Sequence, residues 1–289
     1  MSEAQPTMMR RRLGGALKIL RQRTGLNLDD AAARIGLPSG TTLSKVENAK
    51  RLVAVTALDA YFTAYGVGES DARRDEIRKL AALAASPRRT NLLRQYGDAV
   101  PDSFADYLEL EELAAQADIY ASQVIPGILQ THDYAHAVID GSRRWRTERE
   151  VKTFAELRMQ RASVLTRENP LPVWCVLDES ALRRAMGGPT TLAEQLGHLL
   201  DLHERLPHVQ IQVLPFAAGA HPAMDGTHTI FRFDAGGPVV VVEPMTTSLY
   251  LEEDADIGQY DVNFNHLRSQ ALDTKHSRNF IRDVIKEIR

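Results

Sequence analysis

The stretch SGTTLSKVENAKR, Ser39 to Arg51, gathers hydroxyls, amides and cations of the kind that hydrogen-bond to base edges and phosphates. On a helical wheel Leu43, Val46 and Glu47 share one side, Thr41, Lys45 and Asn48 share the opposite side, and Thr42 and Ser44 lie on the flanks. A helix that enters the major groove needs this partition, with polar side chains outward and a back face that packs on its own domain. Lys45 has the chemistry to donate to guanine O6 and N7 or to phosphate, and Thr41 to donate, accept or touch a thymine methyl group. Free N–H groups at the helix start, near Ser39 to Thr41, suit a phosphate. Lys50 and Arg51 follow in the next turn, where phosphate contact is the usual task. Glu47 would repel DNA if it faced outward. Placed inward, it has a partner in Arg21, and an internal Arg21–Glu47 ion pair is expected to fix geometry more surely than it adds stability.

Such a helix must be held by others. From Arg10 to Arg23 the apolar positions Leu13, Ala16, Leu17 and Leu20 form one helical face, and Gly25 ends it. Asn27 is a good N-cap, with Asp30 three residues on to complete a capping box. Leu28, Ala31, Ala32 and Ile35 repeat the spacing as far as Gly36, a natural C-cap. Pro38, Ser39 and Gly40 make a turn, and the opening stretch begins a third helix with Leu43 and Val46 inward. Two short helices joined by a tight turn and preceded by a helix form the helix-turn-helix pattern. Helices this short must pack as a cluster; Leu58, Tyr61, Phe62 and Tyr65 supply a fourth apolar face, and residues 71–85 a fifth helix. Residues 86–103 lack a period and contain two prolines, which makes them the candidate linker. The expected organisation is a helix-turn-helix domain over 1–85, a linker over 86–103 and a second domain over 104–289.

Charge follows the same division. Residues 1–90 carry 16 Lys+Arg against 9 Asp+Glu, whereas the remainder carries 19 against 29, so a basic first third sits on an acidic body. That asymmetry points the first third toward a polyanion. Cys175 is the single cysteine, which excludes an intrachain disulfide and is consistent with a reducing cytoplasm. The N-terminus has no apolar core of a signal peptide, and no run approaches the roughly 18 apolar residues of a membrane span. The expected localisation is cytoplasmic, with no membrane partner.

Beyond the linker, helical and strand patterns alternate. YLELEEL and residues 147–168 read as helices, ADIYASQVI and PVWCVL as strands, and TLAEQLGHLLDLHERL as an amphipathic helix. VQIQVLP alternates with period two, THTIFRF and PVVVVE form a hairpin across DAGG, and two helices finish the chain. The fold class expected is therefore two-domain: an all-α N-terminal helix-turn-helix bundle plus an α+β C-terminal domain with a mainly antiparallel sheet.

The second domain offers little that reads as catalysis. His198, His203 and His208 are five apart, so successive ones do not share a helical face and do not make a ligand pair. HPAMDGTH, 221–228, reads as a turn around Asp225-Gly226 before it reads as a metal or acid–base site. Asp178-Glu179 and Glu252 to Asp254 stand where acids cap helices. Cys175 lies mid-strand without an activating neighbour, and no glycine-rich phosphate loop is present. Arg143, Arg144, Arg146, Arg149 and Arg158 read as a solvated face first and a partner contact second. No catalytic residue, metal or cofactor is expected. A sheet with helices of this size can hold a ligand pocket or present a groove to a protein, and the sequence does not separate the two.

LRQRTGLNLDDAAARIG…TTLSKVENAKR resembles the Xre-type, phage-repressor-like helix-turn-helix over residues 13–66, with one residue more than the usual turn between Gly36 and Leu43. The resemblance implies a five-helix domain, DNA reading by Thr41, Thr42 and Lys45, and phosphate contact by Asn27, Asn48 and Lys50. QVIPGILQTHDYAHA, DESALRRAMGG, LAEQLGHLL, VQIQVLPFAAGAHPAMDGTHTIFRF and VVVVEPMTTSLYLEE resemble the C-terminal domain of actinobacterial WhiJ-like regulators. That resemblance implies an antitoxin-like transcription factor, often encoded beside a small partner protein. The partners expected are operator double-stranded DNA, a second copy of the chain in a homodimer, and a small protein encoded nearby. An enzyme carrying a helix-turn-helix appendage and an adaptor that no longer binds DNA are the alternatives. In the tail, Phe280, Ile281, Val284, Ile285 and Ile288 share one face, expected to dock on its own domain before it meets a partner.

Overall fold

The computed structural model describes residues 7–85, 91–96, 102–142, 147–234, 237–243 and 248–288. The chain divides into two compact units, the first running through Thr90 and the second beginning at Asn91. Residues 86–90 and 97–101 of the expected linker, with Arg143, Arg144 and Arg146, fall outside the described residues. Between them Asn91–Tyr96 forms helix α6, and Leu92 and Tyr96 pack against apolar residues of the second unit.

The first unit is built from α1 (Met8–Arg23), α2 (Leu28–Ile35), α3 (Gly40–Glu47), α4 (Leu58–Ala64) and α5 (Arg73–Ala85). Their apolar stripes close into one core: Leu13, Leu17 and Leu20 from α1, Ala31 and Ala32 from α2, Leu43 and Val46 from α3, Leu58, Tyr61 and Phe62 from α4, Ile77 and Leu80 from α5. Helix α1 packs on α5 and α3, and α2 on α3 and α4. Asn27 caps α2 by accepting from Asp30 N at 2.9 Å. The expected capping box differs in detail: the Asp30 carboxylate takes the Asn27 side-chain amide at 2.8 Å. Helix α2 ends at Gly36 in the left-handed region (φ 85°), and Leu37 N donates back to Ala32 O at 2.8 Å.

Two glycines let these helices approach. A Cβ on Gly14 would lie 2.6 Å from the Glu47 carbonyl oxygen, so the backbone of α1 rests on the end of α3. A Cβ on Gly40 would lie 3.0 Å from the Asp29 backbone nitrogen, and its own N–H donates to Asp29 Oδ1 at 3.0 Å. Asp29 of α2 thus satisfies a free donor of the first turn of α3.

In the second unit β1 (Gln116–Ala121), β2 (Val173–Asp178), β3 (Val209–Leu214), β4 (His228–Arg232), β5 (Val239–Val242) and β6 (Leu249–Leu251) form a sheet of order β3-β2-β1-β4-β5-β6 among the described residues. Three pairings, β1 with β4, β4 with β5 and β5 with β6, are antiparallel. The β3-β2-β1 half is parallel, with Ile119 opposite Cys175 and Cys175 opposite Ile211. Parallel neighbours need long crossovers. They are supplied by α8 (His132–Gly141) and α9 (Glu148–Arg161) between β1 and β2, and by α10 (Glu179–Arg183) and α11 (Pro189–Arg205) between β2 and β3. Helix α7 (Asp102–Leu113) leads into β1. Helix α9 ends at Arg161 in a tighter turn over Ala162–Leu165, short of the expected continuous helix. On one face of the sheet Tyr120, Val176, Ile230 and Val240 meet Phe264 and Leu267 of α12 (Asp254–Gln270). Helix α13 (Thr274–Ile288) packs on α11 and β3, burying Ile281 and Val284. The apolar stripe of the tail therefore docks on its own unit.

The two neighbouring glycines of α1 are expected to respond oppositely. Gly14→Ala should lower the stability of the first unit by about 1–3 kcal/mol through forced overlap with backbone. Gly15→Ala, whose Cβ meets nothing within 4 Å, should raise it by up to about 1 kcal/mol through helix propensity. Denaturant titration of both variants checks the difference in sign.

Candidate nucleic-acid interface

Helix α3 has only eight residues, so its orientation is set by what it touches. Arg21 donates Nε to Glu47 Oε1 at 2.7 Å and Nη2 to Oε2 at 2.9 Å, a parallel two-bond fork. Its third nitrogen, Nη1, donates to Leu26 O at 2.8 Å, so one side chain ties α1, the α1–α2 turn and α3 together. The side chains are 12% and 4% exposed, which places the pair largely out of water. The hydrogen bond to Glu47 raises the Arg21 pKa against the lowering effect of burial. Tyr65 lies beside the pair, and its hydroxyl is pushed above its ordinary pKa by burial first and the Glu47 charge second.

With Leu43, Val46 and Glu47 turned in, α3 turns Thr41, Lys45 and Asn48 out to solvent, and Thr42 and Ser44 are half-buried on its flanks. Ser39 is the N-cap and accepts from Thr42 N at 3.3 Å. Asn48 is the C-cap, and its amide donates to Ser44 O at 2.8 Å and to Ser44 Oγ at 3.3 Å. Asn27 and Asn48 thus both spend amide donors on their own helix ends. Ala49 takes a positive φ of 59°, a conformation L-residues seldom adopt. Lys50 N and Arg51 N then reach back to Lys45 O at 2.8 and 3.0 Å. This compact turn brings the backbones of Lys50 and Arg51 to the end of α3 that carries Lys45, and all three side chains are exposed. The result is a polar helix face beside a cluster of cations, which suits groove and phosphate contact.

Candidates in the second unit disperse. His208 Nε2 lies 2.9 Å from Leu165 O, whereas the His203 pKa is lowered mainly by burial. His228, at the join of the expected HPAMDGTH turn and the expected THTIFRF strand, is buried as the first residue of β4. Its ring packs 5.7 Å from Tyr120 and 4.9 Å from Tyr260, and burial lowers its pKa to about 4. His221 approaches the Tyr120 hydroxyl at 3.5 Å. Cys175 is fully buried, and burial pushes its thiol pKa up. Asp178 caps α10 by accepting from Ser180 N at 2.8 Å. Among the described residues no group of three His, Cys, Asp or Glu is placed to hold a metal, and no helix is long and apolar enough to cross a membrane. Arg158 corrects the expected solvated patch: it is half-buried, turned into a cavity, and donates to Gln130 Oε1 at 3.0 Å. Spacing hid this because Arg158 follows Phe154 and Leu157 at the edge of the buried stripe.

Helices α1 to α5 define a helix-turn-helix protein, the class of DNA-binding regulators, and a family model described as a helix-turn-helix domain matches residues 12–77. A second, described as a domain of unknown function (DUF5753), matches residues 104–283, well over half of the chain, and the protein belongs to that family. No curated protein and no solved structure matches the chain.

Arg21→Ala or Glu47→Ala alone should destabilise the first unit by about 3–5 kcal/mol, since each leaves one charge buried without its partner. The Arg21→Met/Glu47→Leu double variant should recover most of that loss, and chemical denaturation of the three chains measures it. His228 gives a pH dependence. An ordinary histidine titrates near 6.5 and this one near 4, so below pH 6.5 the unfolded chain binds the extra proton and the folded chain does not. Stability of the second unit should fall as pH drops from about 6.5 to 4, by up to about 3 kcal/mol. Melting at pH 7 and pH 5 should show the fall, and His228→Phe should reduce it.

Proposed function

We propose that this chain is a sequence-specific transcriptional regulator that lays α3 in the major groove of an operator. The carrying observation is the partition of α3, with Leu43, Val46 and Glu47 buried and Thr41 and Lys45 exposed at opposite ends of the same face. Thr41, Thr42, Ser44 and Lys45 are the base-reading candidates. The Ser39 hydroxyl, Lys50 and Arg51 are the phosphate contacts; the Gly40 and Thr42 N–H groups, expected to be free for a phosphate, are instead taken by Asp29 and Ser39. Asn27 and Asn48 join them where a phosphate replaces a bond inside their caps. The excess of basic residues in the first 90 supports the same assignment.

Domains of this kind read two half-sites about one helical turn apart, so a homodimer is the form proposed. The second unit is proposed as a sensor or partner-binding domain rather than an enzyme. Cys175 is buried and presents no accessible thiol, and the sequence resemblance to WhiJ-like regulators supports an antitoxin-like role with a small partner protein. A cytoplasmic location goes with operator binding.

Operator fragments selected from genomic DNA by the full chain should bind with an affinity that falls steeply with salt, by about 10³-fold or more between 50 and 200 mM if six phosphates are neutralised. Lys45→Ala should cost about 1–3 kcal/mol and relax preference at one base pair if the amine reads guanine. A mobility-shift series over salt and over single-base operator variants checks both, and an equal loss on every sequence would assign Lys45 to phosphate instead.

A further inference from the structure

The second unit has a cleft of about 410 Å³, open to solvent on one side, between α7, α9, β1 and the loops after β1 and before β4. That volume lies within the usual range for small-molecule sites, about 300–1,000 Å³. Two arginines one helical turn apart face it, and they are treated differently by their surroundings. Arg161 is neutralised in place: Nε and Nη2 donate to the two oxygens of Glu111 at 2.9 and 2.7 Å, and the guanidinium lies about 5 Å from the ring centres of Phe104 and Tyr107. Arg158 has no such partner. Among the described residues its hydrogen bond goes to Gln130 Oε1 at 3.0 Å, a neutral acceptor, and no carboxylate stands at ion-pair distance. Gln130 is itself fixed by donating Nε2 to Ile125 O at 2.7 Å, which holds Oε1 toward the arginine.

A half-buried guanidinium beside a second cation carries a desolvation and repulsion cost unless something compensates it. The strain registers as a pKa pulled down to about 10, by burial first and by the Arg161 charge second. Glu243 at the exposed mouth offsets part of that charge from a distance. The lining also includes the apolar side chains of Ile119 and Ile125 and the hydroxyl residues Ser122 and Thr229.

We propose that this cleft is a binding site for a small organic monocarboxylate, whose carboxylate docks on Arg158 and whose apolar body lies along Ile119 and Ile125. A monoanion matches the one guanidinium that lacks a carboxylate, and the planar fork of arginine matches a carboxylate's two oxygens. The proposal names the ligand class for the sensor domain proposed above and rests on that assignment. The assay reads binding without DNA, so its failure is separable from failure of operator recognition.

The test titrates the full chain by calorimetry with phenylacetate, indole-3-acetate and hexanoate, each against its primary amide. At least one acid should bind about tenfold or more tighter than its amide, the scale of one hydrogen-bonded charge pair. Arg158→Gln should abolish that preference. The melting temperature of unliganded Arg158→Gln should equal or exceed that of the parent, because a half-buried and only partly compensated charge has gone. Arg158→Lys keeps a charge and loses the fork, and should bind the acid at intermediate strength; it decides the matter if Arg158→Gln fails to fold. Acids that bind no better than their amides, inorganic phosphate that binds tighter than every acid, or undiminished acid preference in folded Arg158→Gln or Arg158→Lys would overturn the proposal.

Discussion

The fork between Arg21 and Glu47 is the constraint on which the rest of the first unit depends. Helix α3 is too short to hold its own shape in water, and only three side chains, Leu43, Val46 and Glu47, anchor its back. Two apolar anchors resist lifting but tolerate rotation about the helix axis. The third anchor is directional: two nitrogens of one plane meet two oxygens of another at 2.7 and 2.9 Å. A turn of α3 by one residue, about 100°, would break that fork and carry Lys45 from solvent toward the core. An apolar pair of equal volume would stabilise the contact as well or better, but it would not define the angle.

The remaining contacts of α3 act in the same direction. Asp29 takes the Gly40 N–H at the start of the helix, and the missing side chain of Gly14 lets α1 lie on the carbonyls at its end. The positive φ of Ala49 then folds Lys50 and Arg51 back on that end. The start of this short helix is therefore held by α2, through Asp29, and its back and end by α1, through Arg21 and Gly14, which fixes it as a helix that must meet a rigid groove requires.

In the second unit the same chemistry appears twice with opposite outcomes. Arg161 and Glu111 form a dry fork that closes α7 on α9, with both side chains under a tenth exposed. Arg158, one turn away, meets only the Gln130 amide among the described residues. The first arrangement is complete and structural. The second gives the cation only a neutral acceptor among the described residues, so its charge is less fully compensated than that of Arg161.

Local pattern in the sequence determined which segments are helices and strands and which face of each turns inward. The 3.6-residue period of Leu13, Leu17 and Leu20, the caps Asn27 and Gly36, and the wheel that puts Glu47 inside with Arg21 as its partner all act within a few residues or along one face. The alternation in VQIQVLP and the apolar runs PVWCVL and PVVVVE located strands for the same reason. Tertiary structure alone decided what depends on distant neighbours. The closeness that demands glycine at positions 14 and 40 exists only once α1, α2 and α3 are packed. The parallel half of the sheet follows from crossovers that bring β1, β2 and β3 side by side. His228 belongs to the core, and Arg158 to a cavity, because Tyr120, Tyr260, Gln130 and Glu111 arrive from other parts of the chain. Burial and charge compensation are sums over such neighbours, whereas periodicity records only which way a side chain points.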